Sequence, residues 1–94
     1  MVRKEWGRHF RPGRLIATRG VMETVPQVEL MSAFSRHIAC DWGELCHTDC
    51  EANEQALQSG GRLLSAYKAS NGRRFLIITE ADRSVTTFLL PEEY

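Results

Sequence analysis

The chain has 94 residues, of which 43% are hydrophobic and 26% are charged. A globular chain of this length forms one domain, with a single core just large enough to fold unaided. Its formal net charge of zero argues against a DNA mimic, because such a protein needs a large acidic excess. No stretch approaches the roughly 18 consecutive apolar residues of a membrane helix. No apolar signal segment follows the basic start at residues 1–6, so we expect a cytoplasmic protein with no membrane contact.

The charge is unevenly distributed along the chain. Residues 1–20 carry six basic groups and one acidic group, whereas residues 21–94 carry a net charge of −5. A basic segment attracts phosphate or an acidic protein surface; alternatively, its arginines only keep it soluble. No periodicity precedes the turn signal at residues 12–13. We therefore predict a basic, partly ordered arm over residues 1–12 and a single α+β domain over residues 13–94.

The first half of this domain reads as one strand and two helices. A short apolar run at residues 14–18 lies between two glycines and predicts a strand. An apolar stripe at three- and four-residue steps predicts a helix over residues 26–39, and its members are Val28, Met31, Phe34, Ser35 and Ile38. A second helix is predicted from Thr48, where Thr48 and Glu51 match a capping box, to the left-handed stop at Gly60.

The second half reads as an antiparallel meander. Strands are predicted at residues 63–68, 73–79 and 85–90 from their β-branched and aromatic content. Asn71 and Gly72 predict a tight hairpin turn between the first two, since both residues tolerate positive φ. Pro91 ends the third strand. The predicted fold is α+β in the order β-α-α-β-β-β, with a C-terminal antiparallel β-meander covered by two helices.

Two kinds of chemistry are conceivable near the middle of the chain. Zinc takes four soft or borderline ligands, and five candidates fall within fourteen residues: His37, Cys40, Cys46, His47 and Cys50. Their spacing contains no C-x-x-C pair, and free cysteines also serve as small buried residues. A cysteine–histidine pair for nucleophilic catalysis is the other possibility, although sequence neighbours such as Cys46 and His47 usually point apart. We predict no cofactor, no metal and no enzymatic activity.

Three further features concern recognition. The polar turn over residues 79–84 is either a binding surface or a hairpin turn in which Asp82 and Ser84 bond their own backbone while Glu80 and Arg83 pair in solvent. Trp42 is interpreted as a core anchor whose N–H finds a backbone acceptor. Aromatic and basic residues alternate in the arm, which suits weak, unspecific nucleic-acid contact.

Several segments carry a specific pattern, and together they cover about four-fifths of the chain. They are RLIAT at 14–18, DWGEL at 41–45, Asn53 with Ala56 and Leu57, GRLLSAY at 61–67, ITEADRSVTT at 78–87 and LLPEEY at 89–94. In these segments the chain resembles a family of small uncharacterised bacterial proteins labelled plasmid-related or hypothetical. Cys40 and Cys50 depart from the family pattern. The resemblance implies carriage on plasmids, integrative elements or prophages, and it implies no settled activity and no catalytic residues.

The resulting hypothesis is a non-enzymatic binding module of mobile-element origin that inhibits a host defence complex, either CRISPR or restriction. The predicted surface determinants are Arg8, Arg11, Arg73, Arg74, Glu80, Asp82 and Arg83. The alternative is a nucleic-acid-binding accessory factor for element maintenance, working through the basic arm. A meander edge left uncovered could also pair two copies of the chain in a homodimer.

Overall fold

The computed structural model describes residues 9–94, so residues 1–8, including Arg8 and most of the predicted arm, lie outside the described part. The elements in chain order are β1 Arg14–Ala17, α1 Arg19–Thr24, α2 Gln27–Ile38, α3 His47–Ser59, β2 Leu63–Lys68, β3 Arg74–Thr79, β4 Val85–Leu89 and a 3₁₀ turn Pro91–Glu93. The four strands form one sheet in the order β1-β4-β3-β2. Within residues 9–94, no helix has the length and apolar character needed to span a bilayer.

The predicted α+β fold with a C-terminal meander is confirmed. Strands β2, β3 and β4 pair antiparallel in sequence order, and β1 adds to β4 in parallel, which makes the sheet mixed. The count of two helices is wrong, because α1 was missed. Thr18 caps α1 by accepting a hydrogen bond from the Val21 amide at 3.1 Å, and six residues are too few for a hydrophobic period to show.

Helix α2 lies where it was predicted but turns another side to the core. Its buried residues are Leu30, Ala33 and His37. Val28 and Met31, both assigned to the apolar inner stripe, are instead 75% and 42% exposed. That part of the prediction is wrong because the helix carries two candidate stripes, and the sequence does not show which one has partners in the sheet.

Two local predictions, the capping box of α3 and the tight turn between β2 and β3, were also wrong. Helix α3 begins at His47 with Cys46 as its N-cap and no side-chain cap, so the capping box at Thr48 does not form. Its stop at Gly60, with φ of 87°, is confirmed. The β2–β3 turn is wider than predicted, because the Ala69 amide bonds the Arg73 carbonyl at 2.8 Å. Of the turn's two central residues, only Gly72 has positive φ.

The core fills the space between the helices and one side of the sheet. Its larger part lies under α1 and α2 and joins Val21, Leu30, Phe75, Ile77 and Phe88 with their neighbours. A smaller part lies under α3.

A chain of polar side chains crosses the core. The His37 ring is 0% exposed; its Nδ1 lies 2.5 Å from Ser65 Oγ and its Nε2 lies 2.9 Å from Thr79 Oγ1. The Thr79 hydroxyl lies 2.7 Å from that of Thr86, which donates to the Pro12 carbonyl at 2.6 Å. The chain therefore ties α2 to the three meander strands and to the segment before β1.

The donor and acceptor roles along this chain determine the tautomer and the charge of His37. The Thr86 hydroxyl donates its only proton to the Pro12 carbonyl, so in the contact between the two threonines Thr79 must be the donor. The Thr79 oxygen then accepts a hydrogen bond from the Nε2–H of His37. Ser65 then donates to Nδ1. His37 is thus neutral with its proton on Nε2. Burial agrees with this, because it lowers the pKa of His37 from 6.5 to about 4.

This state predicts how stability depends on pH. In the unfolded chain the imidazole protonates below about pH 6.5, whereas in the fold it stays neutral down to about pH 4. The unfolded state therefore binds more protons in this window, and stability present above pH 6.5 is lost as the pH falls. We expect the free energy of unfolding to drop by roughly 2 kcal/mol between pH 7 and pH 5.

Urea denaturation at a series of pH values measures this drop. His37→Gln should be less stable than the wild type at pH 7 but should have a much flatter dependence between pH 5 and pH 6.5. A wild-type stability that does not change between pH 7 and pH 5 would contradict the neutral, buried histidine.

The outer edge of β2 is sealed by side-chain and loop contacts. The Asn53 side chain accepts from the Leu64 amide at 3.1 Å and donates to the Leu64 carbonyl at 2.6 Å. Two residues on, the Ala66 amide bonds the Trp42 carbonyl and the Ala66 carbonyl accepts from the Glu44 amide. Because these backbone groups are already paired, this edge cannot accept another strand over Leu64 and Ala66.

Asn53→Ala should destabilise the fold by roughly 2 kcal/mol, because it leaves a buried amide and a buried carbonyl without partners. Gln55→Ala, on the exposed side of the same helix, is the matched control and should change stability by less than about 0.5 kcal/mol. Chemical denaturation of both variants measures the difference, and equal stabilities would refute the role given to Asn53.

Candidate protein-binding surface

The surface determinants that were predicted from the sequence and that fall within residues 9–94 lie at opposite ends of the sheet. Arg73 and Arg74 flank the start of β3, while the turn holding Glu80, Asp82 and Arg83 follows its end. The six residues of β3 span roughly 17–20 Å. Arg11 precedes the Pro12 carbonyl bonded to Thr86 and so lies at the end with the polar turn. These residues therefore form two separate charged patches.

Most of these charges are paired at the surface. Arg73 lies 3.4 Å from Glu92, Arg74 lies 3.2 Å from Glu44, and Glu80 lies 3.4 Å from Arg62. The expected solvent pair between Glu80 and Arg83 is therefore wrong. All three pairs are well exposed, so each contributes little to stability and stays within reach of a partner.

Asp82 behaves as the turn interpretation expects. Its Oδ1 accepts from the Ser84 amide at 2.9 Å. Hydrogen bonds from the hydroxyl and the amide of Ser84 hold the pKa of Asp82 below its ordinary value. Asp82 thus shapes its own turn and keeps its charge exposed.

Arg83 is built into the fold. Its Nη1 donates to the Gly61 carbonyl at 2.6 Å and to the carbonyls of its own turn, and its Nη2 donates to the Ala56 carbonyl in α3 at 3.2 Å. The guanidinium also lies over the Phe10 ring, 5.8 Å from its centre. We therefore assign Arg83 to holding the end of α3 against the β3–β4 turn, although it was predicted as a surface determinant.

Two substitutions of Arg83 should separate the contribution of its guanidinium hydrogen bonds from the cost of its positive φ. Arg83→Gly removes the guanidinium but suits the backbone φ of 60°, and we expect a loss of about 1–2 kcal/mol. Arg83→Ala should lose about 1 kcal/mol more, because alanine is strained in the left-handed region. Arg74→Ala breaks only an exposed pair and is the control, with an expected change below about 0.5 kcal/mol. Thermal denaturation distinguishes the three, and a fully stable Arg83→Ala would contradict the structural role.

The structure separates the five candidate metal ligands. His37 is enclosed by hydroxyls, His47 pairs with Glu51 at 3.1 Å on the surface, and Cys46 is exposed. Burial raises the pKa of the Cys40 thiol to about 11, and the charge of Glu54 adds to the shift. Among residues 9–94, no three His, Cys, Asp or Glu side chains lie close enough together to hold a metal ion.

Trp42 is a core anchor, as expected. It is buried and stacks on Phe10 with ring centres 6.4 Å apart. Its N–H, however, donates to the Glu54 carboxylate at 2.9 Å and not to a backbone carbonyl. The indole is therefore fully used inside the fold and offers no contact to a partner.

Most of the exposed large apolar side chains in the described chain lie around one groove that the sequence analysis did not identify. In the described part of the chain six large hydrophobic residues are exposed, and five of them belong to β1, α1 and α2. Four of these five line a single groove, and we call them the apolar β1 surface: Leu15, Ile16, Met22 and Met31. Val28 is exposed on α2 but does not line that groove. The signal was present in the sequence, since Val28 and Met31 stand out as an apolar stripe, but the stripe was assigned to the core.

A groove of about 240 Å³ runs through this surface between β1 and the two helices. Its lining residues are Leu15, Ile16, Ala17, Met22, Gln27, Leu30, Met31 and Phe88. Seven of these eight side chains are apolar, and Ala17 is the smallest of them. The groove can therefore accept an aliphatic side chain beside Ala17.

The outer edge of β1 is open along the same groove. The amides of Arg14 and Thr18 bond β4 through the Ser84 and Phe88 carbonyls, each at 3.0 Å. Backbone groups alternate in direction along a strand, so the N–H and C=O groups of Leu15 and Ala17 point away from the sheet. An apolar groove thus lies beside a strand edge whose outward hydrogen-bonding groups meet no partner within residues 9–94, which is an arrangement that suits a second strand.

Comparison with models of known protein families, with curated proteins and with solved structures finds no match. The resemblance to mobile-element proteins therefore stays a prediction. The geometry of the apolar β1 surface is the ground on which a function can be argued.

Proposed function

We propose that this chain is a non-enzymatic protein-binding module that works through the apolar β1 surface. The observation that carries the proposal is that four exposed apolar side chains line one groove beside the outer edge of β1. Contiguous exposed apolar surface is rare on small monomeric proteins and marks interaction sites.

The composition of the surface favours a protein partner over a small molecule. A small-ligand site combines an apolar cavity with a few converging polar groups, whereas Gln27 is the one polar residue lining this groove. Methionine is enriched at protein interfaces and adapts to irregular shapes. Met22 and Met31, 64% and 42% exposed, give the surface this adaptable character.

The resemblance to mobile-element proteins supports a particular use for such a module. Small accessory proteins of these elements counter host defences, and we propose that this chain inhibits a CRISPR or restriction complex by occupying part of its surface. Arg73, Arg74, Glu80 and Asp82 carry exposed charges, and complementary charge on the complex would speed and orient the association.

A nucleic-acid-binding role remains the second candidate, and one observation favours it. Arg11, Arg14 and Arg19 are exposed, and no carboxylate within residues 9–94 forms an ion pair with any of them. Together with the basic residues of the arm they could neutralise phosphates. Such binding would fall steeply with rising salt.

A plaque assay in a host with an active CRISPR or restriction system tests the main proposal. Expressing the wild-type chain should raise the plaquing efficiency of a targeted phage. Met31→Glu should abolish this rise, because a carboxylate in the groove would have to be desolvated on binding. Gln55→Glu places the same charge on the exposed side of α3 and should act like the wild type.

Circular dichroism and denaturation of the purified variants establish that both are folded. No rise in plaquing with the wild type would refute the defence-inhibitor role. A rise that persists in Met31→Glu would refute the part given to the apolar β1 surface.

A further inference from the structure

We infer that the apolar β1 surface is covered by a second copy of this chain, with the two β1 strands paired antiparallel about a two-fold axis through Ile16. This inference rests on the proposed function, which makes the apolar β1 surface a protein-binding surface, and it adds that the protein bound there is a second copy of the chain. It makes the working module a dimer with one continuous sheet of eight strands.

The hydrogen-bonding groups of β1 define a self-matching register. Only Leu15 and Ala17 direct their N–H and C=O groups outward, and they are placed symmetrically about Ile16. In an antiparallel pair, Leu15 of one copy therefore lies opposite Ala17 of the other, and these residues exchange both hydrogen bonds. All four bonds form, and no outward group of either strand is left unpaired.

The side chains are complementary in this register. Leu15 and Ala17 project toward the helices, because they share the side of Thr86 and Phe88 in the neighbouring strand. Leu15 of the second copy then lies beside the small Ala17, inside the groove whose walls include Met22 and Met31. Leu15 of each copy thus packs against Ala17 of the other, and each groove is filled by a leucine of the other copy.

On the opposite side of the sheet, Ile16 meets its own counterpart. Ile16 is 45% exposed, and in this register the two isoleucines form a directly opposed pair without mutual hydrogen bonds, with Cα atoms about 4.5 Å apart. Pairs of β-branched residues in such positions stabilise antiparallel sheets. The exposed Ile16 is thereby buried against its counterpart.

The other edge of the sheet offers no such pairing. The Leu64 and Ala66 groups of β2 are bonded to Asn53 and to the backbone of residues 42 and 44. A dimer formed by strand pairing must therefore use β1. The pairing is isologous and closes on itself, so it stops at two copies.

Charge near the axis gives the association a recognisable salt dependence. Arg14 lies opposite Thr18 of the second copy, which places it near Arg19 of that copy. These like charges repel, and salt screens them. Dimerisation should therefore strengthen as salt is added, which is the reverse of nucleic-acid binding.

Light scattering after size exclusion and disulfide trapping test the inference. The wild type should shift from monomer to dimer mass as its concentration rises, and Ile16→Lys should stay monomeric while remaining folded. Ile16→Cys in a Cys46→Ser background should oxidise to a covalent dimer, because opposed Cα atoms at this spacing suit a disulfide. Arg14→Cys in the same background is the control, since its two copies lie four strand positions, about 14 Å, apart and cannot be bridged.

The outcomes separate this inference from the proposed function. A wild type that keeps monomer mass up to about 1 mM, or trapping by Arg14→Cys as readily as by Ile16→Cys, overturns the β1 dimer. If the protein is then monomeric while Met31→Glu still abolishes the rise in plaquing, the host protein occupies the surface and the proposed function stands. A trapped dimer whose disruption leaves the rise in plaquing unchanged supports the inference and overturns the part that the proposed function gives to the apolar β1 surface, while the defence-inhibitor role stands.

Discussion

The buried hydrogen bonds of His37 decide which way α2 faces. Two partners in the sheet, Ser65 and Thr79, hold the ring pointing inward. At 100° per residue, Leu30 then lies about 20° from His37 around the helix axis and is buried with it. Val28 lies about 180° away on the same basis and is left in solvent. A polar chain inside the core thus determines which apolar side chains of α2 are buried and which are left in solvent.

The outward backbone groups are hydrogen-bonded along the β2 edge of the sheet but not along the β1 edge within the described chain. A further strand can therefore pair only with β1. Along β2, Asn53 and the backbone around Gly43 take up the outward groups. Gly43 has φ of 75°, and a Cβ there would lie 2.0 Å from the Ala66 carbonyl oxygen, so this close approach requires glycine. Along β1 the outward groups meet no such cover within the described chain. Folded proteins usually block exposed edges, and an edge left open beside an apolar groove is consistent with one kept for assembly.

Charge and apolar contact have separate places on this molecule. Exposed ion pairs lie at the ends of the sheet, where they contribute little to stability and remain able to steer an approaching partner. Arg83 differs, because its Nη1 and Nη2 atoms donate to four carbonyls within the fold. Apolar contact is concentrated on β1 and the helices beside it. The apolar surface would therefore hold two copies of the chain together, and the charged ends would orient a partner complex.

The sequence by itself determined the local elements, including the meander strands, the extent of α2 and the stop at Gly60, because each depends on residues only a few positions apart. It did not determine which stripe of α2 is buried, that β1 pairs parallel with β4, or that Arg83 holds α3. These depend on partners distant in the chain: His37 bonds side chains 28 and 42 residues away, and Arg83 reaches Ala56, 27 residues away. The apolar β1 surface was missed for the same reason. A stripe of apolar residues shows that a helix has something to bury, and only the packed fold shows whether this chain or another molecule covers it.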